Sequence, residues 1–207
     1  FQKAAVPIPP LPHSLSTPSL IAQVMYQKFV MGIPFARQER DWYRLGLVLP
    51  RNVMANWGIR CCQEWLEPLY WRILEKLAAC GVLHMDETRI QCNKEAGKKA
   101  GSESFIWVIR SAACEEIQAA FFYYSQTRNG DTAKELLENF HGYLVTDAYS
   151  GYEKVEHIIR SLCWAHVRRY FIESIPLDNS GKELSGSKGA EGREFINLLF
   201  KVEQETK

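Results

Sequence analysis

No stretch of this 207-residue chain approaches the roughly 20 consecutive apolar residues that cross a bilayer, which sets aside a helical membrane protein and a membrane partner. A basic segment followed by a short apolar core is also missing from its start, so secretion is unsupported and a cytoplasmic protein is expected. Its six cysteines, Cys61, Cys62, Cys80, Cys92, Cys114 and Cys163, include no Cys-x-x-Cys pair. In a chain too long to need staples, scattered cysteines read as reduced thiols rather than a disulfide framework. Cys163-Trp164-Ala165-His166 has the spacing of half a zinc site. No second half matches it, so a buried Cys beside a hydrogen-bonded His is the expectation.

An excess of one charge is lacking too, since the formal net charge is only +1. That balance hides a mild asymmetry: residues 1–80 carry 9 Lys/Arg against 5 Asp/Glu, and the remainder 16 against 19. A basic first part beside an acidic second part suits nucleic acid on one side and cations on the other, though the difference decides nothing alone. With 46% hydrophobic and 24% charged residues, the composition is that of a globular chain, neither collagen-like nor disordered. It opens on Phe1 rather than Met and closes on the charged stretch Lys201–Lys207, from which we expect a piece cut from a longer protein.

What is present divides by period. Residues 1–16 are proline-rich and aperiodic, and read as an extended arm. Residues 17–80 are expected to be helical. Thr17 is placed as an N-cap with Pro18 at the first helical position, and an apolar stripe then runs to Met31. A second helix is expected from Pro34 to Leu45, stopped by Gly46. The following Leu47–Trp57 segment resembles the turn and second helix of a helix-turn-helix, presenting Arg51, Asn52 and Asn56 to a DNA groove. A helical hairpin that packs only on its own domain explains the same residues, and Trp57 and Ile59 have the look of core. A long amphipathic helix from Ala55 to Ala79 is expected to end at Gly81 as a C-terminal cap.

From Val82 the period changes to that of strands, and residues 81–176 are expected to form a mixed α/β unit. The order is three strands, then helix, strand, helix, strand and helix. The strands are Val82–Ile90, Ser104–Arg110, Ile117–Tyr124, Gly142–Tyr149 and Ile158–Trp164. Such an order makes a mixed five-stranded sheet flanked by helices. The loop Asn93–Glu103, with Lys94, Lys98 and Lys99, is either a solvated turn or a basic loop near a phosphate backbone.

Two of these strands carry a carboxylate where an apolar run ends: Leu83-His84-Met85-Asp86-Glu87-Thr88 and Leu144-Val145-Thr146-Asp147-Ala148-Tyr149. Asp is disfavoured in strands, so each requires a partner or a purpose. The bland alternative is that each merely caps its strand or the following turn. On neighbouring strands the pair would come within reach of one divalent ion, which takes hard oxygen ligands. Strand alternation points Glu87 away from Asp86, which suits a structural role.

The succession Leu83–Thr88, Thr146-Asp147-Ala148-Tyr149-Ser150-Gly151-Tyr152 and Cys163-Trp164-Ala165-His166-Val167-Arg168-Arg169 resembles the bacterial insertion-sequence 66 transposases. The stretch from Leu15 through Arg37-Gln38-Glu39 to Ala55-Asn56-Trp57 is similar to the same family upstream of its catalytic core. The resemblance implies a ribonuclease H-like core of the Asp-Asp-Glu class. In it Asp86 and Asp147 are catalytic metal ligands, two Mg2+ or Mn2+ ions serve as cofactors, and the partner is DNA, both transposon ends and target. It also implies a homo-oligomeric active complex, in a bacterial cytoplasm and nucleoid-associated when active. The third acidic ligand is expected beyond this sequence, because residues 177–207 read as a loop and the start of a truncated helical insertion. Glu173, Glu183, Glu191 and Glu194 lie in no matching motif. Arg168 and Arg169 are candidates for phosphate contacts or form a solvated basic turn. His166 is a candidate to orient water or phosphate, and Trp164 is expected to alternate into the core. Tyr149 and Tyr152 either stack near DNA or, preferably, pack on the sheet. A DNA-binding or regulatory module without activity is the alternative on the same fold.

Overall fold

The structure is a computed structural model that describes residues 8–14, 16–184 and 186–206. Residues 1–7 of the proline-rich arm, and Leu15 from the upstream similarity, lie outside the described residues. Two compact units divide between Arg72 and Ile73.

In the first unit, helices α1 (Pro18–Phe29), α2 (Phe35–Arg44) and α3 (Arg51–Cys61) pack around Leu11, Ile21, Val24, Leu49, Met54 and Trp57. Thr17 caps α1 as its residue type predicts, its hydroxyl accepting from the Leu20 amide at 3.2 Å. Gln38 is buried in this unit because its side-chain amide is used: Nε2 donates to the Val24 and Ile33 carbonyls at 3.3 and 3.1 Å. Gly46, at φ +83°, ends α2 where a Cβ would be strained. The long helix expected from Ala55 to Ala79 forms, but not as one uninterrupted α-helix. Helix α3 runs into a π-helical turn at Cys62–Leu66 and on into α4 (Glu67–Ala78). Two further expectations are corrected. Ile59 is exposed rather than core, and Gly81 is not among the positive-φ glycines, so it is not a left-handed cap.

The second unit is built on five strands: β1 (Val82–Gln91), β2 (Glu103–Ser111), β3 (Ala120–Ser125), β4 (Tyr143–Thr146) and β5 (Ile159–Leu162). Their order is β3-β2-β1-β4-β5, with β2 antiparallel to both neighbours and β4 parallel to β1 and β5. This is the mixed five-stranded sheet flanked by helices that was expected. Helix α5 (Gly130–Leu136), a 3-10 turn at Ser150–Lys154, α6 (Trp164–Glu173) and α7 (Lys188–Glu205) complete the unit. Alternation along β2 buries Trp107 and Ile109, and the Trp107 ring meets Tyr152 edge-on at 6.0 Å. Leu83, Met85, Phe121, Phe140 and Leu144 are buried as well.

Some boundaries shift. The last strand stops at Leu162, so Trp164 opens α6 and is exposed instead of alternating into the core. Helix α7 begins at Lys188, within the 177–207 stretch read as a loop and the start of a helical insertion. The lysine-bearing loop before β2 is tied down: Lys98 donates to the Glu103 carbonyl and to Ser104 Oγ, both at 2.9 Å, and to the Gln126 carbonyl.

Gly130, the first residue of α5, lies against the backbone of Gly151, where an added Cβ would overlap the Gly151 carbonyl. We expect Gly130→Ala to destabilise the chain by about 1–3 kcal/mol through forced displacement of that turn. Chemical denaturation followed by circular dichroism measures this, and an unchanged midpoint is the contrary result.

Candidate active site

The site is assembled where β1 leaves the core. Leu83 and Met85 are buried, Asp86 is exposed, and parallel pairing with β4 covers only Val82–His84 against Tyr143–Val145. The register offset is 143 − 82 = 61 positions, and 147 − 86 is also 61. Asp86 and Asp147 therefore hold matching places just beyond the last paired residues of neighbouring strands.

Their carboxylates have separate partners. Asp86 Oδ1 accepts from the Glu87 amide at 2.9 Å, and Oδ2 is 3.6 Å from His166 Nε2 in the first turn of α6. His166 Nδ1 is buried with no hydrogen-bond partner. Asp147 lies past the end of β4, where the chain turns. Its Oδ1 accepts from the Tyr149 amide at 3.0 Å, and its Oδ2 from the Arg128 guanidinium at 3.1 Å. Arg128 also forms an ion pair with Glu87, whose side chain is only 1% exposed. Tyr152 donates to the other Glu87 oxygen at 2.5 Å.

The alternation argument for Glu87 accounts for its burial with Leu83 and Met85. It misses that the guanidinium on Glu87 also holds Asp147. Burial is the largest influence on Glu87 and raises its pKa, with Asp147 adding to the rise; Tyr152 and Arg128 oppose it. Tyr152 is raised in turn, by burial first and then by Glu87.

Sequence reasoning also missed Arg128 and Arg160. Arg160 lies within β5, donating to Thr146 Oγ1 at 3.0 Å and to the carbonyls of Asp147 and Tyr149 at 2.8 and 2.9 Å. It thereby fixes the turn that carries Asp147. An arginine inside a short strand was the available signal. Arg128, in an aperiodic loop, gave none.

Magnesium or manganese suits carboxylate oxygens but does not fit this arrangement. Arg128 is seated on Asp147, and among the described residues no group of three or more His, Cys, Asp or Glu is placed to hold a metal ion. The remaining glutamates do not complete one: Glu183 and Glu194 pair with Arg193, Glu191 pairs with Lys188, and Glu173 is exposed at the end of α6.

Of the DNA-contact candidates, Arg169 is exposed, while half-buried Arg168 donates through Nε to Asn197 Oδ1 of α7 at 2.8 Å. In the first unit Arg51, Asn52 and Asn56 are exposed on α3, and the Arg51 amide donates to Glu39 Oε1 at 2.9 Å. Asn52 and Asn56 line an open depression of about 600 Å³ with Val48, Trp57 and Arg60.

A sequence model of the Transposase IS66 family matches residues 13–207. The chain belongs to that family. Relatives include two uncharacterized proteins of Sinorhizobium fredii, y4jD and y4hP, each 26% identical. The alignments cover 92% and 88% of this chain but 38% and 34% of those proteins, so this IS66-family chain spans about a third of the length of the curated relatives it matches. It is also similar to a chain of the Drosophila P element transposase strand transfer complex, at 16% identity and a TM-score of 0.44 over 83% of this chain and 48% of that one. At that level the likeness carries no residue correspondence. No helix among the described residues is long and apolar enough to cross a membrane.

The raised Glu87 pKa has a consequence for stability. The folded state holds this proton more tightly than the unfolded chain, so the stability it contributes is complete below the ordinary value of 4.5 and is lost as pH rises through the raised value. Glu87→Gln keeps a hydrogen-bonding group that does not ionise. Its melting temperature relative to wild type should therefore climb as pH increases above 4.5. Thermal melts across that range test this, and a constant or falling difference counts against it.

Proposed function

We propose that this chain is the central region of a DNA transposase, with Asp86 and Asp147 as two of the acidic residues of a DNA strand-cleavage and strand-transfer site of the Asp-Asp-Glu class. The observation carrying the reading is the shared 61-position offset, which gives these two carboxylates matching places just past the parallel pairing of β1 with β4. Family membership over residues 13–207 supports the reaction class. The third acid is proposed to come from elsewhere in the protein, as the curated relatives extend well beyond the aligned region.

Strand transfer displaces one phosphate oxygen by another in line, and catalysis rests on positioning and on stabilising charge on the phosphoryl oxygens. Arg169 offers an exposed cation midway along α6. Arg168 is held at its place by Asn197, and His166 faces Asp86 from the same helix. Magnesium or manganese, the cofactor proposed for the complete protein, would supply Lewis-acid stabilisation at these carboxylates only with Arg128 displaced from Asp147.

For DNA contact outside the acidic site we assign α2 and α3. Arg51, Asn52 and Asn56 are exposed along the first half of α3, and Arg37, Arg40 and Arg44 on α2 line one depression. Asn and Arg side chains match the donor and acceptor pattern of base edges, and the arginines suit phosphates. A second reading, a DNA-binding or regulatory module without catalysis, is favoured by the Arg128 guanidinium seated on Asp147.

Strand transfer by the complete protein on a labelled transposon-end duplex separates the two. Asp86→Asn and Asp147→Asn should each lower the rate more than about 100-fold, beyond the loss usual for groups that merely support a ligand, while DNA binding persists. Full transfer by either variant would defeat the catalytic assignment. Asn52→Ala with Asn56→Ala should weaken binding to the end duplex without that loss of chemistry.

A further inference from the structure

We propose that Arg128 is an internal cation that competes with a divalent metal ion for Asp147 and Glu87, and so holds the acidic site closed. The inference rests on the reading of Asp86 and Asp147 as metal ligands. It concerns the misfit between that reading and the arrangement described above.

The guanidinium is built into place from several sides. It contacts Glu87 through Nε and NH2, and NH2 reaches Asp147 Oδ2 at 3.1 Å. Its carbon lies 4.0 Å from the centre of the Tyr149 ring. Tyr149 closes the circuit, its hydroxyl donating to the Arg128 carbonyl at 2.8 Å and its amide to Asp147 Oδ1 at 3.0 Å. Arg128 directly precedes Asn129, the N-cap of α5, which accepts from the Asp131 amide at 3.1 Å.

Competition follows from charge and access. Glu87 is 1% exposed and Asp147 14%, so two neighbouring carboxylates require a cation. A divalent ion would supply that charge with the same oxygens, and a guanidinium 3.1 Å from Asp147 Oδ2 repels a second cation there. An arginine does not give up its proton in a protein, so the site opens only if the side chain moves. At 36% exposed, Arg128 is the most accessible member of the trio, and its side chain comes from a loop rather than from the sheet.

The test measures Mn2+ affinity calorimetrically on the full chain and on folded variants. Arg128→Gln should bind Mn2+ about tenfold more tightly than wild type, within the ordinary range for coupled ligands, and Arg128→Lys, a single point charge, should fall between them. In the unmodified chain, the Arg128 Nε–H nuclear magnetic resonance signal should move in step with Mg2+ addition as the guanidinium leaves Asp147. This second measurement decides the matter if the Arg128 variants do not fold. Affinity in Arg128→Gln equal to or weaker than wild type overturns the proposal, as does an Arg128 signal that stays fixed while the Asp147 signals shift. Asp147→Asn and Asp86→Asn separate this failure from that of the underlying reading. If they abolish Mn2+ binding while Arg128→Gln gains nothing, only the Arg128 proposal falls. If they leave binding intact in both backgrounds, the acidic-site reading falls and this proposal with it.

Discussion

The parallel register between β1 and β4 is the constraint on which the site depends. Only three residue pairs define it, Val82–His84 against Tyr143–Val145, yet they fix where both acidic residues emerge. The pairs lie next to buried Leu83, Met85, Leu144 and Thr146. A slip of one residue would send each of these to the opposite face, so hydrophobic burial enforces the register that the carboxylates inherit. In this sense core packing sets the position of the two carboxylates.

Register alone does not determine where the side chains end up. The sheet delivers Asp147 to the end of β4, and two arginines then set its local geometry. Arg160 reaches across from β5 to hold the carbonyls on either side of Ala148, and Arg128 takes the carboxylate itself. Both arginines contact the tyrosines of the same turn, Arg128 over Tyr149 and Arg160 at 5.6 Å from the Tyr152 ring. Removing one partner of a buried ion pair typically costs about 3–5 kcal/mol, because the charge left behind has lost both water and its counter-ion. The Glu87–Arg128 contact is of that type on the Glu87 side, so this corner of the fold is held together by charge as much as by apolar packing.

How much was legible in the sequence follows from which features repeat. The strands announced themselves by alternation, the α1 start by Thr17-Pro18, and the sheet by the change of period at Val82. Where the reading failed, the determining contact was distant in sequence or the period was carried too far. Trp164 was assigned to a strand because its apolar neighbours continue past Leu162, whereas the backbone turns at Cys163 into α6. Ile59 was taken for core, but α3 turns it outward. Glu87 was placed opposite Asp86 by alternation, yet the link from Glu87 through Arg128 to Asp147 spans 41 and 19 positions. No local pattern encodes such a link, and the π-helical turn at Cys62–Leu66 likewise interrupts the helical repeat that the sequence was read with.

Strand β1 is longer than its parallel neighbour. Its pairing with β2 continues to Gln91, while that with β4 ends at His84. The outer half of β1 thus has a flank of backbone amides and carbonyls with no strand of this sheet beside it, and such a flank invites another chain to dock by edge-to-edge aggregation. Asp86 and Arg89 lie along that flank, and charged side chains are what discourages such docking. A charge at Asp86 therefore disfavours pairing of a foreign strand at that flank.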